Sequence, residues 1–116
     1  MKKILLVDDE ESIQLLYHEE FEEEGYQVIS ALNGEEALEK FNSELPDLVI
    51  LDIQMPGMNG IEVLRQMKMI NEDIPVILSS AYHEYKQDLS SWASDEYVVK
   101  SADLDELKKA VKRFIG

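Results

Sequence analysis

Asp8, Asp9, Asp52, Ser80 and Lys100 each stand at the end of a short apolar run. Brought together, they would place three carboxylates, a hydroxyl and an ammonium around one point. An Asp carboxylate is a competent nucleophile toward phosphoryl groups. Three carboxylates at close range repel and raise one another's pKa unless positive charge relieves them. A lysine is one remedy, and a divalent cation is another. Ligands made only of oxygen favour a hard ion such as Mg²⁺ or Mn²⁺. Phosphoryl transfer depends on positioning and charge neutralisation, which these groups would supply. Asp52 is the expected nucleophile, because it ends the run Leu48-Val49-Ile50-Leu51-Asp52 just before a turn at Gln54-Met55-Pro56-Gly57.

The runs themselves predict the elements that carry these residues. Lys3-Ile4-Leu5-Leu6-Val7 reads as a first strand and Gln27 to Ala31 as a second. Leu48 to Asp52 reads as a third, Pro75 to Ser80 as a fourth and Tyr97 to Lys100 as a fifth. Continuous apolar strands are buried on both faces, as in a parallel sheet covered by helices. Between them lie helical patterns. Ile13, Leu16, Tyr17 and Phe21 set the inward face of the first helix, about Glu10 to Glu24, with Gly25 as its stop. Asn33 with Glu36 opens the second, which runs to about Phe41 with Ala37, Leu38 and Phe41 inward. Asn59 with Glu62 opens the third, with Ile61, Leu64 and Met67 inward. Tyr82 to Ser94 is the expected fourth helix. Asp103 to Glu106 caps the fifth, whose inward residues are Leu104, Leu107, Val111 and Phe114.

This βα alternation predicts an α/β, doubly wound (βα)5 fold of the flavodoxin-like kind. Its five-stranded parallel sheet takes the order 2-1-3-4-5, with helices on both faces. Strands 1 and 3 then lie side by side at the switch point, where such sheets bind ligands. The chain has 116 residues, which suits a single domain spanning 1–116. It has no cysteine, so disulfides and thiolate metal sites are excluded. No apolar run reaches the length of a membrane span, and a cytoplasmic location is expected. A net charge of -14 argues against binding nucleic acid, which needs Lys and Arg to neutralise phosphates. The acidic stretch Glu19 to Glu24 reads as a solvated helix face. His18 and His83 read as exposed, with no metal-ligand spacing. Ser79 reads as structural, and Met55 and Met58 as loop packing.

Four pieces in this order resemble the receiver domain of two-component response regulators. They are Ile4 to Glu10, Asp47 to Gly60, Pro75 to Ala81, and Tyr97 to Lys100. The resemblance implies that a histidine kinase or histidine phosphotransfer protein phosphorylates Asp52 to an acyl phosphate. It implies that Asp8, Asp9, Asp52 and the backbone carbonyl of Gln54 hold the Mg²⁺. Lys100 would pair with a phosphoryl oxygen, and Ser80 would bond another as the switch hydroxyl. Tyr97 matches the switch aromatic that turns inward. Gln54 and Tyr82 match positions that tune autodephosphorylation. The switched surface would be the helix 4, strand 5, helix 5 face, read by a downstream protein or a fused output domain. No enzyme activity is implied beyond self-phosphorylation and autodephosphorylation.

Two departures from the family pattern stand out. Relatives usually carry Pro after the strand-5 lysine, often with a cis bond; here Ser101 follows Lys100. A cis non-Pro bond costs about 2.5–4 kcal/mol, so trans is expected. The span from Ser80 to Lys100 is also a residue or two short, with Ala93-Ser94 in place of the usual Gly-Ala. These departures motivate an alternative, a non-phosphorylated pseudo-receiver that acts only as a protein-interaction module. An Asp-nucleophile phosphatase is a third possibility, but such enzymes often need a second acid where this chain has Gln54.

Overall fold

The computed structural model describes residues 1–53, 55, 59–80, 95–100 and 104–116. Five strands, β1 (Lys3–Val7), β2 (Gln27–Ala31), β3 (Leu48–Asp52), β4 (Val76–Ser80) and β5 (Glu96–Val99), form one sheet. The sheet is parallel throughout, in the order β2-β1-β3-β4-β5. Four helices are described: α1 (Glu11–Glu23), α2 (Gly34–Glu44), α3 (Gly60–Ile70) and α4 (Asp105–Ile115). Here α4 is the fifth helix that the sequence predicts. The expected helix from Tyr82 to Ser94 lies outside the described residues, as do Gln54, Met58, His83 and Ser101.

Strand pleating sorts the core into two layers. Leu5, Val7, Val49, Leu51, Val76, Leu78 and Tyr97 face α2 and α3. Ile4, Leu6, Leu48, Ile50, Ile77 and Val98 face α1 and α4. Every residue of β3 and β4 is buried, which explains why both read as unbroken apolar runs until their ends. Those ends are buried too, so their polar groups are enclosed at the edge of the sheet.

The helix ends follow local chemistry. After α1 the Tyr26 N–H reaches Phe21 O and the Gly25 N–H reaches Glu22 O, with Gly25 at φ +94°. That is a Schellman closure, and the Phe21 and Tyr26 rings pack at 6.2 Å across it. Asn33 Oδ1 accepts from Glu36 N at 2.8 Å, and Asn59 Oδ1 accepts from Glu62 N at 2.9 Å. The sequence places the end of α2 near Phe41, but the helix continues to Glu44. It stops at Leu45, which takes the left-handed conformation at φ 50°. Left-handed backbone costs a side chain about 1–2 kcal/mol, and Leu45 is 70% exposed. Leu45→Gly should therefore raise stability by about 1 kcal/mol, read by urea denaturation.

Several inward assignments need correction. Leu16 is 43% exposed and Phe114 is 38% exposed. The buried stripe of α1 instead runs through Gln14, Tyr17 and Phe21. Gln14 holds a place in that stripe because its amide bonds backbone carbonyls at the ends of β1 and β2, which a count of apolar residues misses. In α4, Ala110 packs where the helix comes close to the sheet, which leaves Phe114 toward its end outside. In α3, Val63 is fully buried while Ile61 only borders the core. The N-cap of α4 is Leu104, with no side-chain cap bond. His18 is half-buried and hydrogen-bonded to the Ser30 hydroxyl, not freely exposed. The acidic face of α1 is mostly solvated, but Glu20 is held by Lys108 of α4 at 2.8 Å.

Candidate functional site

The C-terminal edge of the sheet gathers the acids as their strand ends demand. Asp8 lies just beyond β1, and Asp52 ends the neighbouring β3. Asp8, Asp9 and Asp52 each offer an oxygen within 4.8 Å of the others. Asp8 and Asp52 are buried, at 2% and 5% exposure, while Asp9 faces solvent. Lys100 follows β5, two strands away from β3 in the sheet order. Its Nζ still reaches Asp8 Oδ2 at 2.7 Å and Asp52 Oδ2 at 3.5 Å.

This ammonium is half-buried, which disfavours its charge. The Asp8 hydrogen bond and the nearby Asp52 and Asp8 charges outweigh that burial, and the Lys100 pKa lies above the usual lysine value. The stability it contributes is complete below lysine's ordinary range and is lost as pH rises through the raised value. At neutral pH the site therefore holds a full positive charge among three carboxylates. The donor set consists of hard, mostly enclosed oxygens with excess negative charge. It fits a hard divalent cation, which would have to compete with Lys100 for Asp8.

Backbone contacts hold Asp8 and the tip of β3. Asp8 Oδ1 accepts from Glu10 N at 3.0 Å, an Asx turn that leads into α1. The Asp8 N–H donates to Ala31 O at 3.1 Å. Gln14 Nε2 donates to Leu6 O, Asp8 O and Ala31 O at 3.1, 3.0 and 3.1 Å. This one amide ties the ends of β1 and β2 to α1. On the other side of Asp52, the Gly60 N–H donates to Ile53 O at 2.8 Å, so α3 begins directly against the tip of β3. A Cβ on Gly60 would lie 2.4 Å from the Asp52 carbonyl oxygen. Apolar patterning does not single out Gln14 or Gly60 as contributors to the site. A glycine placed directly after a helix-capping Asn was the available signal for Gly60.

Other predicted residues are placed as follows. Ser80 ends β4 and is 1% exposed, and the Lys100 N–H donates to its carbonyl at 2.6 Å. Tyr97 is 9% exposed and packs into the α2 and α3 layer. Met55 is buried against the same layer, as its loop-packing assignment expects. Gln54 and Tyr82 lie outside the described residues. Tyr17 was expected only as core. Burial raises its phenol pKa, and the charges of Lys100, Asp8 and Asp52 also act on it, the first lowering and the other two raising it.

Residues 4–112 match the sequence family of the response regulator receiver domain. This chain belongs to that family.

Receiver relatives agree over nearly the whole length. Sporulation initiation phosphotransferase F of Bacillus subtilis is 44% identical over 98% of this receiver chain and 94% of its own. The alkaline phosphatase synthesis transcriptional regulatory protein PhoP of the same organism is 40% identical over 98% of the chain. The match takes in 48% of that longer regulator. The response regulator TrrA of Thermotoga maritima, solved with Mg²⁺-BeF, is 56% identical with a TM-score of 0.94. Its structure is matched over 99% of this chain and 100% of that one. TrrA in complex with the histidine kinase ThkA matches at 54% identity and a TM-score of 0.92. There the match covers 100% of both chains. Among the described residues, no helix is long and apolar enough to cross a membrane.

Proposed function

We propose that this receiver is a single domain, 1–116, that accepts a phosphoryl group on Asp52 in a two-component or phosphorelay pathway. The observation that carries the reading is the gathering of Asp8, Asp9 and Asp52 within 4.8 Å, with Lys100 bridging Asp8 and Asp52. The donor is a sensor histidine kinase or a histidine phosphotransfer protein. The TrrA–ThkA complex supports a kinase partner by likeness. The chain works in the cytoplasm without direct membrane contact, and its net charge of -14 disfavours direct nucleic-acid contact.

In the reaction, an Asp52 carboxylate oxygen attacks the phosphorus. The bond from phosphorus to the donor nitrogen breaks, and the imidazole, already protonated on its other nitrogen, keeps the electron pair and leaves neutral. Asp8, Asp9, Asp52 and the Gln54 carbonyl would hold Mg²⁺, or Mn²⁺ in its place. When bound, the cation supplies charge neutralisation for the phosphoryl oxygens. The Lys100 ammonium pairs with one of these oxygens and the Ser80 hydroxyl donates to another. Water attack on phosphorus later breaks its bond to the Asp52 oxygen, which releases inorganic phosphate and restores the carboxylate, and Gln54 and Tyr82 tune the water's access. Phosphorylation adds about 1.5 to 2 negative charges and strong acceptors. That local change draws Ser80 and Lys100 inward and, with Tyr97, biases the surface formed by the expected fourth helix, β5 and α4. A downstream protein or a fused output domain reads that surface. The chemistry on the domain itself is limited to self-phosphorylation and autodephosphorylation.

Incubation with phosphoramidate and Mg²⁺, followed by intact-mass measurement, tests this reading. One phosphoryl adduct per chain is expected. No adduct would sink the phosphoacceptor reading in favour of a pseudo-receiver that only binds partners. Many turnovers without an adduct would favour a hydrolase.

Lys100→Met should have opposite effects on stability and metal binding. The metal-free protein loses a bridge to two buried carboxylates and melts at a lower temperature. Mg²⁺, freed of its competitor at Asp8, should bind about tenfold tighter, the worth of one charged hydrogen bond. Calorimetric titration checks this, and weaker binding in the variant would contradict the competition.

A further inference from the structure

Ser79 is 2% exposed, and its hydroxyl has no hydrogen-bond partner among the described residues. A buried hydroxyl left unpaired is costly, and in a native fold it calls for an explanation. Register shows what it lies beside. Ser79 pairs with Asp52 on one side and with Val98 on the other. Paired residues of parallel strands share a face, and Ile77, Ile50 and Val98 all pack toward α1 and α4. Ser79 therefore continues that face at the level of the Asp52 carboxylate. Ser80, one residue on, belongs to the opposite pleat.

Lys100 passes over the same place. It starts beyond β5, and its Nζ bonds Asp8 beyond β1. Between those strands lie β4 and then β3, each step about 4.8 Å. Lys100 and Asp8 share the pleat parity of Val98 and Leu6, which pack toward α1 and α4, so the stem crosses β4 on the face where Ser79 stands. In this arrangement the ammonium is stretched toward β1, past the serine. A divalent cation at the three carboxylates would repel the ammonium from Asp8, back toward its own strand. The polar side chain that β4 offers on that path is Ser79.

We propose that Ser79 is a positioning residue for Lys100, its hydroxyl accepting an N–H from the ammonium once a divalent cation displaces Lys100 from Asp8. The inference rests on the metal site described under the proposed function. It gives the unpaired hydroxyl a role in the cation-bound state alone. Ser79 thereby holds Lys100 within reach of the Asp52 carboxylate, where a phosphoryl oxygen would arrive.

Calorimetric Mg²⁺ titration of wild type, Ser79→Ala, Lys100→Met and the double variant tests it. Ser79→Ala should weaken Mg²⁺ binding about fivefold, the worth of one modest hydrogen bond. Its metal-free melting temperature should stay level or rise, because the hydroxyl it removes is unpaired there. In the Lys100→Met background the same substitution should change Kd less than twofold. An unchanged Kd in Ser79→Ala, or equal weakening without Lys100, overturns the proposal. If wild type binds no Mg²⁺, the underlying metal site fails and this inference with it. Wild-type binding with an unaffected Ser79→Ala variant overturns this inference alone.

Discussion

Asp52→Asn should eliminate the phosphoryl adduct without unfolding the protein. Asn has nearly the same shape, but its amide is not a nucleophile toward phosphorus. The substitution also removes one of three converging negative charges, and with it one oxygen ligand for the cation. Lys100 keeps its shorter bond, the one at 2.7 Å to Asp8. The metal-free fold should therefore melt at the wild-type temperature or slightly above it, since carboxylate repulsion falls. Mg²⁺ binding should weaken by roughly tenfold or more, in line with the loss of a charge-assisted contact. Intact mass after phosphoramidate treatment, calorimetry and a thermal melt separate these effects. An adduct at the wild-type level would move the nucleophile to Asp8 or Asp9.

Gly60→Ala should be the most damaging single methyl in the described part of the fold. Its Cβ would lie 2.4 Å from the Asp52 carbonyl oxygen and 2.6 Å from Ile53 Cα. Both neighbours are backbone, so no side chain can swing aside. Either α3 must withdraw from the sheet or the tip of β3 must bend. Withdrawal breaks the 2.8 Å bond from Gly60 N to Ile53 O. Overpacking of this kind costs about 3 kcal/mol. For a domain of this size that lowers the melting temperature by roughly 10 °C or more. Bending the tip of β3 would also move the Asp52 carboxylate relative to Asp8, so Mg²⁺ affinity should fall along with stability. Urea denaturation and calorimetry check the two effects, and a loss below about 1 kcal/mol would mean that the contact relaxes at little cost.

The two substitutions differ in how legible their basis was. Asp52 can be read from the sequence because it ends a strand-length apolar run just before a turn, where open α/β sheets bind ligands. Gly60 reads there only as a residue after a helix cap. That α3 starts against β3 is a matter of packing, and no periodicity reports it. Gln14 shows the same limit. On a helical wheel it interrupts an apolar stripe, and Leu16 looks like the better core residue. In the fold, the Gln14 amide nitrogen lies 3.0–3.1 Å from three backbone carbonyls at the ends of β1 and β2, and Leu16 stays outside.

The five strands, their parallel pairing and the polar residues at their ends were legible from the chain alone. These follow from local rules: apolar run length, helical spacing and capping residues such as Asn33 and Asn59. What those residues do to one another depends on how distant segments pack. Lys100 and Asp8 are 92 positions apart in the chain and 2.7 Å apart in space. Strand register set Ser79 beside Asp52 and turned Ser80 to the other pleat. Both outcomes depend on which strands neighbour each other and on a one-residue parity. Such distances arise when separate segments pack, and no stretch of sequence contains them.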